Sequence, residues 1–186
     1  MSTLDEELVR LCQAGRLEAF NLLMSRWEAK VLNFAYHFLG DAEAAHDVCQ
    51  DAFLRALRHV GKYEPKPTFA AWLFGIARNL CIDADRRRRV RGPTAEPVDE
   101  ADPAPSPAER AARNEHAELV GQALHSLPEE QRTPIIMRHY LDMPFPEIAQ
   151  TLGCPATTVK SRAYAGLCAL KQHLRRLGIM DRSESS

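Results

Sequence analysis

Three clusters of polar side chains offer chemistry in this sequence, and none is of a catalytic type. Glu43, Asp47 and Asp51 recur every four residues, so a helix through them lays like charges over one another. Such pairs cost a helix roughly 0.2–0.5 kcal/mol each, so helix stability does not explain them; a basic partner surface would. Compensation by the helix dipole covers Glu43 in a first turn but does not reach Asp51. Next come Phe69 and Trp72 beside a proline loop, followed by the consecutive Arg86, Arg87, Arg88 and Arg89. Aromatic faces that stack bases, with guanidinium groups behind them, suit single-stranded nucleic acid. The third cluster is Thr157, Ser161 and Tyr164, one helical face flanked by Lys160 and Arg162. Hydroxyls and an aromatic can reach base edges in a major groove while the cations hold phosphates.

Other chemistries are disfavoured. His46 and Cys49 can share a helix face, but two ligands make no structural zinc site. No Ser/His/Asp spacing, Gly-rich phosphate loop or metal cluster appears, so neither an enzyme nor a bound metal or cofactor is expected. Five cysteines (Cys12, Cys49, Cys81, Cys154, Cys168) are scattered, odd in number and without a C-x-x-C pair. That pattern suits a reducing, cytoplasmic setting without disulfides. No run is apolar enough to insert in a membrane, and the N-terminus lacks the layout of a signal peptide. The net charge of −1 hides segregation: acids dominate from Asp41 to Asp51, arginines from Arg78 to Arg91, and acids again from Pro93 to Glu109. Beyond Arg132 the chain is mostly basic, so two kinds of partner are expected, one polyanionic and one basic.

The elements that position these clusters read as helices throughout. Thr3 and Glu6 have the spacing of a capping box, opening a first helix that should stop near Gly15. A second, from Leu17 to about Phe38, should bury Phe20, Leu23, Met24, Trp27, Val31, Phe34 and Ala35. Asp41 is a good N-cap for a third, about Ala42 to Val60, burying Ala45, Val48, Ala52, Phe53, Ala56 and Leu57. After Gly61 a loop of prolines leads to Thr68, which can cap a fourth helix running through Phe69, Trp72, Leu73, Ile76, Leu80 and Ile82 into the arginines. From Arg91 to about Ala112 five prolines, several acids and almost no large apolar residue make a flexible linker. Helices resume with Leu119, Val120, Ala123 and Leu124, then with Ile135, Ile136 and Tyr140. Pro134 falls inside that last stretch and should kink or delay it, since an interior proline costs about 3 kcal/mol. Pro146 can occupy the first turn of a short helix containing Ile148, Ala149 and Leu152, which Gly153 ends. Pro155 opens a final helix with Val159, Ala163, Leu167, Leu170 and Leu174 on its apolar stripe.

The fold class is therefore all-α, two small helical domains on a flexible tether, and here a specific resemblance emerges. Phe20 with the helix after it, Asp47-Val48-Cys49-Gln50-Asp51-Ala52-Phe53 and Trp72-Leu73-Phe74-Gly75-Ile76-Ala77-Arg78-Asn79 resemble the first domain of bacterial sigma factors of the extracytoplasmic-function group. Leu127-Pro128-Glu129, Glu147-Ile148-Ala149, Leu152-Gly153 and Thr158-Val159-Lys160-Ser161-Arg162 resemble the second. The resemblance covers roughly residues 5 to 175 in the same motif order. It implies sigma region 2 over residues 1–90, a linker over 91–113, sigma region 4 with its helix-turn-helix over 114–178 and a disordered tail over 179–186.

The resemblance also implies partners and contact residues. Asp47, Gln50, Asp51 and Leu54 would dock on the beta-prime clamp helices of core RNA polymerase. Tyr63, Lys66, Trp72, Arg78, Asn79, Arg86 and Arg87 would face the minus-ten element of promoter DNA, with one base captured by the loop Tyr63 to Thr68 and Asn79. Thr157, Thr158, Lys160, Ser161, Arg162 and Tyr164 would read the minus-thirty-five element, the second domain sitting at the beta flap. The acidic linker would pass through the RNA exit path, and an anti-sigma factor would regulate the whole. Departures from the group's pattern are few: Met143-Pro144-Phe145-Pro146 precedes Glu147-Ile148-Ala149, and Ala165 and Leu167 stand where arginines are common. The alternative, a stand-alone helix-turn-helix regulator, would need a dimer to read paired half-sites and leaves the acidic and aromatic-arginine helices unexplained.

Overall fold

The computed structural model describes residues 2–91 and 119–176. The expected linker beyond residue 91 and the expected tail lie outside the described residues. The first half comprises α1 (Ser2–Gln13), α2 (Glu18–Leu39), α3 (Ala42–His59) and α4 (Phe69–Arg91), with a 3-10 turn at Val60–Lys62. The second comprises a helix described over 119–125 (α5), then α6 (Glu129–His139), α7 (Phe145–Leu152) and α8 (Ala156–Arg176).

Local chemistry fixes most boundaries. Gly40 and Gly153 take left-handed backbone (φ 66° and 62°) at the ends of α2 and α7, each donating its N–H back into the last turn. Asp41 caps α3 by accepting from Ala44 N at 2.9 Å, and Thr68 caps α4 by accepting from Ala71 N at 3.2 Å. The capping box at Thr3 is not realised as expected, because α1 already includes Ser2 and Thr3. Pro134 neither delays nor divides α6. Its missing N–H orphans only the carbonyl of Glu130, a residue on the exposed side where water can serve it.

The apolar stripes are buried as read, with two corrections. Phe20, Leu23, Trp27, Val31, Phe34 and Ala35 are core, but Met24 is 36 % exposed and Leu57 39 % exposed. Both lie at the edge of a stripe, where helical periodicity alone does not decide burial. Trp27, Phe34 and Phe74 meet edge-on at centroid distances of 6.0 and 5.7 Å, tying α2 to α4. In the second half Gly166 is buried, and a Cβ there would meet Ile135 Cδ1 at 2.6 Å and Gln131 Cβ at 3.0 Å. That absence of a side chain is what lets α8 lie close along α6.

The halves also pack on each other. Ile136, Met137, Leu141, Met143, Ile148 and Val159 join the same buried cluster as Phe34, Phe38, Leu73 and Leu80, while Leu124, Leu127 and Ile135 form a smaller one. Tyr140 from the second half stacks on His37 at 3.6 Å between ring centroids. Burial there lowers the His37 pKa to about 4.

Candidate nucleic-acid interface

On α3 the side chains of Glu43, Asp47, Gln50 and Asp51 all face solvent, and Leu54, 49 % exposed, continues the row. Beside this row runs a groove of about 410 Å³, with Asp47, Gln50 and Asp51 on its α3 wall and Leu80, Ala84, Arg87 and Arg88 on its α4 wall. An acidic ridge ending in an exposed leucine is suited to a basic, partly apolar surface. Cys49, by contrast, is buried with its thiol towards Glu28 O at 3.8 Å, while His46 is exposed.

The second cluster is a loop resting on aromatics and the helix that follows it. Tyr63 is buried, and its hydroxyl donates to Pro67 O at 2.7 Å, closing the loop on itself. Burial, with smaller contributions from Glu6 and Asp5, pushes this hydroxyl up to about 12, so it stays a donor. Its ring lies 5.0 Å from Trp72 and 6.1 Å from Phe69, and Trp72 is half-buried against both. Tyr63 therefore shapes the loop from beneath, while Lys66 and Asn79 are exposed. Arg78 is committed to Glu129 on α6 and reaches Asn79 Oδ1 at 3.4 Å. The arginine run divides: Arg88 donates to Leu39 O at 3.0 Å, Arg89 pairs with Asp85 at 3.1 Å, Arg87 donates from Nε to Asp83 O at 3.2 Å on the groove wall, and Arg86 is exposed.

The third cluster lies along α8. Thr157, Lys160, Ser161, Tyr164, Ala165 and Cys168 are exposed, and Thr158 and Arg162 half-buried. Tyr164, at 63 % exposure, is the most prominent aromatic of that face. Ser161 Oγ donates to Thr158 O at 2.9 Å, which leaves its lone pairs outward as acceptors. Lys160 Nζ and the Arg138 guanidinium sit 5.8 and 5.6 Å from the Phe145 ring centroid, which holds two cations beside the reading face.

A fourth group, not singled out from the sequence, joins the halves. Arg132, fully buried, donates from Nη2 to Asp85 Oδ2 at 2.8 Å and lies 4.1 Å over the Phe38 ring. Its Nη1 is 3.0 Å from His125 Nδ1, and His125 Nε2 is 3.5 Å from Asp85 Oδ1. Burial alone would raise the Asp85 carboxyl, but the hydrogen bond and charge of Arg132, helped by His125 and Arg89, bring it below its ordinary value. Burial and Arg132 lower His125 against the pull of Asp85, so a neutral ring accepting at Nδ1 fits the geometry. Thr68 Oγ1 donates to Glu147 Oε1 at 3.1 Å, and Thr68 N donates to Gln150 Oε1 at 3.4 Å. The available signal was faint: an arginine within the apolar run to Met137, and an acid opening a run of arginines.

Both described halves match known proteins. The family model Sigma-70 region 2 matches residues 23–91, and Sigma-70, region 4 matches residues 117–170. The RNA polymerase sigma-H factor of Pseudomonas aeruginosa is 33% identical over 183 residues, covering 93% of this chain and 95% of its own. The ECF RNA polymerase sigma factor SigW of Bacillus subtilis is 27% identical, covering 95% of this chain and 100% of its own. Among solved structures, CnrH in complex with the cytosolic domain of CnrY superposes with a TM-score of 0.74 at 27% identity, covering 93% of this chain and 98% of that one.

Proposed function

Because the chain belongs to the sigma-70 family, as an RNA polymerase sigma factor of its extracytoplasmic-function group, we propose how its surfaces divide that work. Residues 1–90 act as region 2: the α3 row Asp47, Gln50, Asp51 and Leu54 docks on the beta-prime clamp helices of core polymerase. The loop before α4, with Asn79 and the exposed Arg86 and Arg87, takes the unpaired strand of the minus-ten element. Residues 114–178 act as region 4 at the beta flap, α8 entering the major groove of the minus-thirty-five element. Sigma factors are DNA-binding initiation factors, and the chain carries no catalysis of its own in this reading. It works in the cytoplasm beside polymerase, and an anti-sigma factor restrains it, in keeping with a relative solved with such a partner. No described helix is long and apolar enough to cross a membrane.

The observation that carries this division is the separation of an exposed acidic row on α3 from an exposed hydroxyl-aromatic face on α8. A stand-alone regulator has use for the second only. The α8 assignment is tested by base preference. Tyr164→Ala and Ser161→Ala should change the preferred minus-thirty-five sequence, because both reach base edges. Lys160→Ala should weaken all promoters alike and lower the salt slope by about one. Ala165→Arg should add a guanine preference worth about 1–3 kcal/mol at one position. Selection from a randomised minus-thirty-five library reads all four. An unchanged profile for both Tyr164→Ala and Ala165→Arg would remove this face from the reading.

A further inference from the structure

The loop that follows α3 is held from behind by α1. Gln13, the last residue of α1, donates from Nε2 to Val60 O at 3.0 Å and to Tyr63 O at 2.8 Å. Both partners are carbonyls, which only accept, so the amide nitrogen rather than its oxygen must face them. Val60 closes α3 and Tyr63 closes the 3-10 turn, so these carbonyls stand where the helix has run out of its own donors. An amide with two N–H groups meets that need with one side chain.

Tyr63 passes this hold along the loop. Its carbonyl is fixed by Gln13, its N–H donates to Val60 O at 3.1 Å and its hydroxyl donates to Pro67 O at 2.7 Å. Between these points Pro65 and Pro67 restrict the backbone, and Lys66 N donates to Glu64 O at 2.7 Å. Few free torsions remain once the entrance is set. The brace is itself anchored: Leu8, Val9 and Cys12 are buried, and the buried Asp5 accepts from Arg26 Nη1 on α2 at 2.8 Å. Between α1 and the loop lies a cavity of about 120 Å³, lined by Glu6, Val9, Arg10, Gln13, Tyr63 and Pro65. Close packing does not fill that space, which leaves a larger share of the tie to hydrogen bonding.

We propose that α1 braces the loop over residues 63–67, with Gln13 as a positioning residue that fixes the loop's entrance and thereby which unpaired base it accepts. This rests on, and deepens, the reading of that loop as the base-capturing surface of the minus-ten element. Gln13 acts through Tyr63 and not on DNA directly. A loop freed at its entrance samples several forms, and capture falls with the competent fraction, so one-tenth of that form means about tenfold weaker capture. Selectivity falls with it, since a wrong base is excluded only by a surface that keeps its shape.

The test uses the full chain with Gln13→Met, which keeps side-chain length and removes both donors, and with Gln13→Lys, which supplies donors again. Methionine and lysine are good helix formers, so α1 survives either change. In the chain alone, hydrogen exchange at the Tyr63, Glu64 and Lys66 amides should quicken about tenfold in Gln13→Met, with α1 and α4 amides unchanged. With core polymerase, the same variant should open duplex promoters about tenfold more slowly. It should also select a flatter base profile from a library randomised at the minus-ten element. Gln13→Lys should return exchange and base profile towards wild type, a rescue that restored packing alone does not explain. Unchanged loop exchange in Gln13→Met would overturn the brace, and failure of Gln13→Lys to restore protection would overturn donation as the tie. Faster exchange with an unaltered minus-ten profile, where deletion within residues 64–67 alters it, would overturn the positioning role. A profile unaltered by the deletion as well would remove the loop from base capture, and the positioning role would fall with that reading.

Discussion

Changing Asp47 and Asp51 together to lysine is expected to reduce affinity for core polymerase by at least about 100-fold while the chain keeps its helices. The magnitude follows from two contacts each costing about 1.4 kcal/mol or more when reversed in sign. The fold should survive because both side chains are exposed on α3, whose buried face is Ala45, Val48, Ala52, Phe53 and Ala56. Lysines at these positions would approach Arg87 and Arg88 across the groove, so Asp47→Asn/Asp51→Asn serves as the neutral companion, expected to lose less. Anisotropy titration with core polymerase and circular dichroism check both. Normal affinity in a well-folded lysine variant would take docking away from this face.

The second large effect concerns melting. Asn79→Ala, or deletion within residues 64–67, should leave closed-complex binding nearly unchanged and cut open-complex formation by about 10- to 100-fold. Holding a base out of its stack requires a few kcal/mol, and each lost contact removes a share of that. The loop is preset: Tyr63 donates to Pro67 O, its ring packs with Phe69 and Trp72, and Thr68 caps the helix that presents Asn79. Shortening it therefore disturbs a built surface rather than a loose tether. Permanganate reactivity of thymines around the start site reads the effect. A pre-melted template should rescue both variants; failure of that rescue would place the defect outside base capture.

Much of this arrangement was legible in the residues, for reasons that differ by feature. Gly40, Asp41, Thr68 and Gly153 mark helix ends through backbone chemistry that acts within a few residues, and each does so in the structure. The α8 face was readable because Val159, Ala163 and Leu174 fix its inner side, leaving Thr157, Ser161 and Tyr164 outward. Met24 and Leu57 were misplaced because a stripe's edge is decided by what packs beside it. Tyr63 was assigned to DNA although its ring is buried; nothing local tells a loop tyrosine that stacks outward from one that supports the loop from within.

The contacts between the halves were not legible at all. Arg132 and Asp85 lie 47 residues apart in the chain, and an arginine read singly is a surface charge. Only the packing of α6 across α2 and α4 turns it into a fully buried group over Phe38. Gly166 was silent in the same way, since its role depends on how near Ile135 and Gln131 come. The all-helical class is thus legible in the sequence, and the packing of the two described halves on each other is a property of tertiary structure.

The most direct measurement is run-off transcription with purified core polymerase, this chain and a library of promoter fragments randomised at the minus-thirty-five and minus-ten positions. Transcripts should arise only when chain and core are both present, from templates sharing one motif at each position, and should vanish with Asp47→Lys/Asp51→Lys. Specific duplex binding by the chain alone, with no transcript from any template in the presence of core, would contradict the account and leave a conventional helix-turn-helix regulator in its place.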